Sequence, residues 1–196
     1  MKITDLDIDI INTAHTWDKK KRDFSLAIVI KTWGSSPRQV GSMMLIRDDG
    51  HVVGSVSGGC VEGAVIVSAK NILARSSAEI LDFGVADQDA WSVGLSCGGK
   101  ISVFICPRKK IEASLFERLH LANLNRDNFQ IQCDLCCGEI FEHQDSSSIE
   151  NYLNLILEPR PRLIIVGAVH LTQYLVPMAR GAGFKIVLVD PRSQFA

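Results

Sequence analysis

The chain has 196 residues and a formal net charge of −1, with 21 lysines and arginines against 22 acidic residues. This length is enough for one large domain or two small ones with a proper core, and the balanced charge provides no broad basic surface for nucleic acid. The start lacks the order of a signal peptide, and no apolar run approaches the roughly 20 residues of a membrane span. We therefore expect a cytoplasmic protein whose six cysteines are thiols.

The N-terminal part of the chain predicts alternating helices and strands. Apolar residues near helical spacing over 4–18 predict a helix, although the alternation of aspartate and apolar residues at its start also fits a strand. An apolar run over 24–32 predicts a buried strand, and the segments 43–47 and 51–55 flank an Asp-Asp-Gly turn that predicts a hairpin. A helical pattern then continues over about 60–74.

The middle of the chain predicts further strands around one amphipathic helix. The strands are predicted at 79–83, 101–105, 129–135, 138–143 and 152–157, and the helix at 112–124. A short helical turn is expected near 87–91, and a proline-rich stretch over 158–162 is typical of a stiff linker.

The last segment is typical of the opening of a dinucleotide-binding fold. An apolar strand over 163–166 leads through a turn into a helix over 171–180, and a second strand over 185–189 closes on Asp190. In such folds the acid at the end of the second strand binds a ribose hydroxyl. One such unit cannot build a doubly wound sheet, and its second strand would be left as an open apolar edge. The sequence therefore predicts a truncated Rossmann-like strand-helix-strand unit.

The glycine fingerprint of this unit is incomplete. Gly167 is present at the end of the first strand, but Val169 stands where a second glycine would let the backbone approach a pyrophosphate. His170 follows in the same turn and either caps the helix or contacts a ligand.

A glycine loop in the N-terminal half carries the first candidate site. Ser57-Gly58-Gly59-Cys60 lies between a strand and a helix, where free backbone N–H groups and the helix dipole create an anion pocket. Cys60 is either a soft ligand or a small buried apolar residue. Glu62 either contributes to this site or is simply a favourable first-turn carboxylate.

A second loop repeats the pattern, with Cys97-Gly98-Gly99 placed just before a strand. Two glycine loops with one thiol each predict a single ligand held from opposite sides, with Cys60 and Cys97 contacting a metal or its sulfur. Arg38, in a turn-rich loop, is either a bidentate phosphate ligand or a surface charge.

Three further cysteines resemble half of a metal site. Cys133, Cys136 and Cys137 have the spacing of a partial zinc motif, but they fall along strand-like sequence and a structural zinc needs four ligands from suitable turns. The pattern therefore disfavours zinc.

Four motifs in the same order resemble the xanthine dehydrogenase accessory protein family (XdhC/CoxI). They are Trp-Gly-Ser-Ser-Pro-Arg at 33–38, the glycine loop at 54–63, the stretch from Asp89 to Gly99, and Gly-Ala-x-His at 167–170. The resemblance implies an N-terminal mixed α/β domain over 1–107, a connecting α/β segment over 108–158 and a partial Rossmann-like C-terminal domain over 159–196.

Membership of this family implies an accessory protein rather than an enzyme, often a homodimer. It would bind the molybdenum cofactor, hold it while a cysteine desulfurase supplies its terminal sulfur, and insert it into a xanthine dehydrogenase-type molybdenum hydroxylase. The positions that match the family are Arg38, Ser57, Gly58, Gly59, Cys60, Glu62, Cys97, Gly98, Gly99 and His170.

Two alternatives remain open at this point. An NAD(P)-dependent oxidoreductase, or a remnant of one, is suggested by residues 163–190, with Gly167 and Asp190 as ligand contacts. A thiol enzyme would instead carry a persulfide on Cys60 or Cys97.

Overall fold

The computed structural model describes residues 5–34, 36, 38–84, 99–143 and 151–192, with side chains from residue 8 onward. It divides into two compact units, one reaching Glu158 and the other starting at Pro159.

The described residues of the first unit form three α-helices and eight strands. The helices are α1 (Asp5–Lys19), α2 (Glu62–Arg75) and α3 (Leu115–Asn125). The strands are β1 (Phe24–Trp33), β2 (Met43–Arg47), β3 (Val52–Gly54), β4 (Glu79–Phe83), β5 (Lys100–Pro107), β6 (Phe129–Asp134), β7 (Glu139–Glu142) and β8 (Tyr152–Leu157).

The main sheet has five strands in the order β3-β2-β1-β5-β4, and every neighbouring pair is antiparallel. The central strand β1 places Leu26 opposite both Leu45 and Cys106. Its register against β5 shifts between Val29 and Lys31, which is the signature of a bulge. Because β1 is apolar on both faces, it needs cover on both sides of the sheet.

Two separate apolar clusters supply that cover. On one face, Ala27 and Val29 pack with Val65, Ala69 and Ile72 of α2. On the other face, the cluster draws on α1, α3 and a second sheet with the order β7-β6-β8. Residues 108–158 therefore contribute to the same core as the main sheet.

The predicted helix over 112–124 begins only at Leu115, because the residues before it are engaged elsewhere. Glu112 donates its N–H to the carbonyl of Ile140 at 2.8 Å, and its carboxylate accepts from Arg118 at 2.7 Å. This short stretch therefore runs beside β7 before the helix starts.

The connections at one edge of the main sheet bear the candidate residues. Trp33 at the end of β1 lies opposite Lys100 at the start of β5, and Phe83 at the end of β4 lies opposite Ile101. Gly54 at the end of β3 lies opposite Met44 near the start of β2. Met43 of β2 in turn lies opposite Ile28 of β1. The loops after β1, β3 and β4 thus all leave from this edge.

The described part of the second unit contains β9 (Arg162–Val166), α4 (His170–Gly181) and β10 (Lys185–Val189). The two strands are parallel and directly paired, as a strand-helix-strand crossover requires. Many large apolar side chains of this unit are exposed, among them Ile164, Val166, Leu171, Tyr174, Met178 and Leu188.

Among the described residues, no helix combines the length and apolar character needed to cross a lipid bilayer.

Candidate functional site

The glycine loop, residues 54–61, begins with a position that accepts only glycine. Gly54 has a φ of +89°, and a Cβ there would lie 2.5 Å from the carbonyl oxygen of Met43 and 2.5 Å from Cδ1 of Ile10. A side chain would therefore meet both a strained backbone and a fixed carbonyl. The chain leaves β3 at this point and turns toward α2.

Glu62 organises the rest of the glycine loop around its carboxylate. The main-chain N–H groups of residues 56–59 donate to it at 3.2, 2.8, 3.1 and 2.9 Å. The Ser55 hydroxyl donates to Oε1 at 2.6 Å, and the Ser57 hydroxyl donates to Oε2. Six donors thus converge on one side chain, which makes this loop a preformed nest for a carboxylate.

Ser57 binds the two residues that lie just before the helix. Its hydroxyl oxygen accepts the N–H groups of Cys60 and Val61, each at 3.0 Å, while its own proton points to Glu62. Val61, the residue before α2, has no side-chain group to do this. The helix predicted from about residue 60 starts at Glu62, because residues 56–61 form a loop around Glu62 and Ser57 instead.

The charge of Glu62 follows from these contacts. Burial raises the pKa of this carboxyl, but the hydrogen bonds from Ser55, Ser57 and the loop N–H groups outweigh it and lower the pKa to about 2. Glu62 is therefore anionic at neutral pH. Its carboxylate occupies the backbone donors that the sequence pattern offered to an external anion.

The surroundings of Cys60 are compatible with both interpretations of its sequence position, a soft ligand and a small buried apolar residue. Its half-buried side chain packs against the apolar cluster beneath α2. The two glycines before it are exposed, and in the described part of the chain a Cβ on Gly59 would meet no atom within 4 Å. The thiol thus sits at the boundary between the core and an open loop surface.

Arg38 connects the loop after β1 to the glycine loop. Its Nε donates to the carbonyl oxygen of Ser55 at 3.1 Å, and its side chain is half-buried. This contact holds the beginning of the glycine loop. The predicted role of Arg38 in phosphate binding stays a prediction.

Cys97 and Gly98 lie outside the described residues, whereas Gly99 is buried just before β5. The segment that bears Cys97 starts after Gly84 and ends at Gly99, both at the sheet edge from which the glycine loop leaves. That Cys60 and Cys97 share one ligand stays a prediction.

In the second unit, the turn after β9 is tied to the end of β10. Gly167 has a φ of +110° and donates its N–H to the carbonyl of Val189 at 2.8 Å. The Asp190 carboxylate accepts from the N–H of Ala168 at 2.6 Å and from the Arg192 guanidinium at 2.8 and 2.9 Å. The Arg192 side chain and the N–H groups of Ala168 and Arg192 lower the pKa of Asp190 well below its usual range.

His170 is the first residue of α4, and its exposed ring makes an edge contact with Tyr174 at a centroid distance of 5.2 Å. Among the described residues, Val169 before the helix makes no side-chain capping hydrogen bond. The predicted ligand contacts of Gly167, His170 and Asp190 stay predictions.

The three cysteines of the partial zinc motif lie in different environments. Cys133 is fully buried, and burial raises the pKa of its thiol to about 12. Cys136 and Cys137 are exposed at the β6–β7 turn, where their N–H groups donate to Asp134 at 2.8 Å. In the part of the chain that the structure describes, no group of three or more His, Cys, Asp or Glu side chains is placed to hold a metal ion.

The structure also contains a cavity that sequence reasoning missed. It has a volume of about 450 Å³ and lies at the same sheet edge, where β1, β4 and β5 end or begin. Its lining includes Trp33, Lys100 and Asp82. The sequence signal that could have indicated this cavity is the alternation of polar and apolar residues at the ends of these strands.

With this geometry established, comparison with known proteins identifies the N-terminal segment. A sequence model described as the XdhC and CoxI family matches residues 17–84. The similarity to the XdhC and CoxI family therefore covers residues 17–84. The matched range runs from α1 to the end of β4 and includes Arg38, the glycine loop and Glu62.

Two relatives are similar to this chain, one of them over most of its length. The chain is 27% identical over 201 aligned positions to a probable xanthine dehydrogenase subunit of Bacillus subtilis, covering 87% of this chain and 60% of that protein. It is 32% identical over 79 residues to the molybdenum cofactor insertion chaperone PaoD of Escherichia coli, covering 40% of this chain and 24% of that protein.

A solved structure shares the fold. A crystal structure of a xanthine dehydrogenase from Bacillus halodurans superposes with a TM-score of 0.77 at 25% identity, covering 94% of this chain and 63% of that one. The chain thus spans less than two thirds of the length of each of these three proteins.

Proposed function

We propose that this protein is a cytoplasmic accessory protein that binds the molybdenum cofactor and inserts it into a xanthine dehydrogenase-type hydroxylase. One observation carries the proposal: the XdhC and CoxI segment contains a half-buried thiol, Cys60, on a loop at a sheet edge whose N–H groups are bound to Glu62. The similarity to a molybdenum cofactor insertion chaperone and to a probable component of a xanthine dehydrogenase supports it.

The residues of the glycine loop fit one part of this cofactor better than another. When bound, the cofactor would supply a soft metal centre with a terminal sulfur, for which the Cys60 thiol is a suitable neighbour. The loop N–H groups could not bind its phosphate, because they already donate to the Glu62 carboxylate. We therefore assign the phosphate to cationic side chains at the same edge, and we assign Cys97 as the second thiol.

The test is pterin analysis of the purified full chain from a host that makes the cofactor. The protein is oxidised, and the released pterin is measured by fluorescence. We expect bound pterin in the native protein and a clear loss in Cys60→Ser. Cys136→Ser, which removes an exposed thiol on the β6–β7 turn, is the matched control and should retain pterin.

Two outcomes would contradict the proposal. One is well-folded native protein that holds no pterin and takes up none on titration. The other is Cys60→Ser that retains pterin but loses stability, because Cys60 would then be only a core residue.

Sulfuration of the cofactor is the finer part of the proposal. It requires a cysteine desulfurase as a partner that delivers sulfur while the cofactor is held. Mass spectrometry after treatment with a desulfurase and cysteine tests where the sulfur goes. Sulfur found on the bound cofactor supports holding during sulfuration, whereas a persulfide on Cys60 or Cys97 favours a thiol enzyme.

The second unit supports a second candidate function, NAD(P) binding by a Rossmann-like unit. The observation in its favour is a parallel β9-α4-β10 crossover with Gly167 at its turn and Asp190 after its second strand. The Asp190 carboxylate is, however, engaged by Ala168 and Arg192. Calorimetric titration with NAD(H) and NADP(H) tests this function. Measurable binding of either nucleotide would support it, and no binding would contradict it.

We also propose a homodimer built through β10. Among the described residues this strand pairs only with β9, and an apolar strand edge is a template for pairing with another chain. Light scattering of the purified protein tests the proposal, and a monomer at working concentration would refute it.

A further inference from the structure

One corner of the main sheet has side chains that the glycine loop does not use. Trp33 of β1 lies opposite Lys100 of β5. In the next row, Ser102 of β5 lies opposite Lys31 on one side and Asp82 of β4 on the other. These five side chains, the corner residues, form two adjacent cross-strand rows of mixed charge.

Alternation along β5 determines which face the corner residues occupy. Ile101 and Val103 pack in the cluster beneath α2, whereas Phe104 packs in the cluster on the opposite face. Lys100 and Ser102 share the parity of Phe104. The corner residues therefore lie on the face that α1 and α3 cover farther along the strands, at an end where Trp33 remains 66% exposed.

The cavity at this corner has the size and the groups of a small-molecule site. Its volume of about 450 Å³ falls within the range of about 300–1,000 Å³ for ligand pockets. Lys100 Nζ lies 5.8 Å from the centroid of the Trp33 ring, so an aromatic surface and a cation are already adjacent. A Cβ on Gly84 would lie 2.9 Å from Lys100 Cγ, so the glycine leaves room for the lysine stem.

The second row adds an oriented acceptor. The Ser102 hydroxyl donates to Oδ1 of Asp82, which orients a carboxylate on the exposed surface. A carboxylate accepts two parallel N–H donors from one planar edge. The adjacent N–H groups of a 2-amino-4-oxo-pyrimidine ring, present in pterins and in guanine, have this arrangement.

We propose that the corner binds a phosphorylated 2-amino-4-oxo-pyrimidine ring system. The ring stacks on Trp33, its N–H edge donates to Asp82, and Lys31 and Lys100 neutralise the phosphate. The pterin version of this ligand rests on the proposed function, and it would place the pterin and phosphate away from the Glu62 carboxylate. The corner lies on β1, β5 and β4, whereas the glycine loop leaves from β3, and β2 separates β1 from β3.

Calorimetric titration of the full chain tests this site with three probes: neopterin monophosphate, guanosine monophosphate and adenosine monophosphate. We expect the first two to bind and the third to bind at least about tenfold more weakly, because adenine lacks the paired N–H edge. Trp33→Ala should weaken binding by about tenfold or more, whereas Trp33→Phe keeps a stacking surface and most of the affinity.

Asp82→Asn should reduce the preference for the two 2-amino-4-oxo probes over adenosine monophosphate. Lys110→Gln is the control, since this lysine pairs with Glu139 near the second sheet, away from the corner. Because Trp33 is largely exposed, its replacement should leave the unfolding midpoint nearly unchanged, which separates loss of binding from loss of folding.

The outcomes distinguish the two proposals. If none of the probes binds, or if Trp33→Ala and Asp82→Asn leave the affinities unchanged, the corner site is refuted, even where the purified protein contains pterin. Binding of guanosine monophosphate that depends on Trp33, in a protein that holds no pterin, supports the corner site and removes the proposed function. Trp33-dependent binding of neopterin monophosphate supports both.

Discussion

In both units a strand ends near a glycine and the chain turns into a helix, after Gly54 in the first unit and after Gly167 in the second. At the first turn, Glu62 of the helix itself accepts four consecutive main-chain N–H groups. At the second, Asp190 from the end of the neighbouring strand accepts one N–H group of the turn, that of Ala168.

This difference shows that a glycine-rich turn before a helix is not by itself an open anion site. A carboxylate on the first residue of the helix folds the loop back on itself and fills the nest. A carboxylate at the end of the next strand instead ties the turn to the sheet and leaves the Gly167 surface open, where a Cβ would meet no atom of the described residues within 4 Å.

We expect the largest loss of stability when Gly54 is replaced, and a smaller loss when Gly167 is replaced. Gly54→Ala combines left-handed strain with a 2.5 Å approach to the Met43 carbonyl, so we expect a loss of about 3 kcal/mol or more in the free energy of unfolding. Gly167→Ala meets only the backbone strain, about 1 kcal/mol. Urea unfolding and amide exchange of α4 measure the two, and equal losses would contradict the role of the close contact.

Glu62→Gln should have the next largest effect. The amide keeps one acceptor oxygen, but its NH₂ group faces donors of the glycine loop. We expect a loss of about 1–2 kcal/mol in the free energy of unfolding, allowing for the screening of a partly exposed charge. Glu117→Gln, an exposed first-turn carboxylate of α3, is the matched control and should change it by less than about 0.5 kcal/mol.

Acid titration sharpens the same comparison. The pKa of Glu62 is about 2 in the folded protein against an ordinary value of 4.5. A lowered pKa means that this contribution to stability is complete above the ordinary value and is lost as the pH falls from there toward 2. The difference in unfolding free energy between native protein and Glu62→Gln should therefore shrink over that range. A difference that stays constant would show that the carboxylate charge is not responsible.

The smallest effect is expected at the second turn. Asp190→Asn weakens the acceptor for Ala168 and for Arg192, so the Ala168 amide should exchange faster while the first unit keeps its protection. Hydrogen exchange with residue resolution measures this. Faster exchange across the whole chain would show that Asp190 does more than tie one turn to β10.

The two units also differ in how their apolar residues are covered. In the first unit, the central strand β1 is buried on both faces, with Ala27 and Val29 on one side and Leu26 and Ile28 on the other. In the second, the strand-helix-strand crossover leaves large apolar side chains exposed on both strands and on α4. A single crossover has too few layers to bury its own sheet faces.

Much of the local structure could be predicted from patterns in the sequence. The strands at 43–47, 79–83, 152–157 and 185–189 have the predicted bounds, because turn residues mark both ends of each apolar run. The start of α2 could not be predicted to the residue, since residues 56–61 form a hydrogen-bonded loop around Glu62 and Ser57.

The candidate site was predictable only in part. The turn over 57–62 and the place of the Cys60 thiol beside it could be predicted, because glycines between a strand and a helix mark a tight turn. The occupation of the loop donors by Glu62 was not, since several geometries let a first-turn carboxylate face solvent instead. Nor was the corner with Trp33 and Asp82, whose residues come from strands that pair only in the folded sheet.

The sequence by itself determined the order and type of the elements, the family motifs and the positions of the thiols, because these follow from short-range periodicity and turn chemistry. Only the tertiary structure decided which donors meet which acceptors. Strand order and register bring together residues far apart in the chain, such as Lys31, Asp82 and Ser102, and no local pattern encodes that pairing.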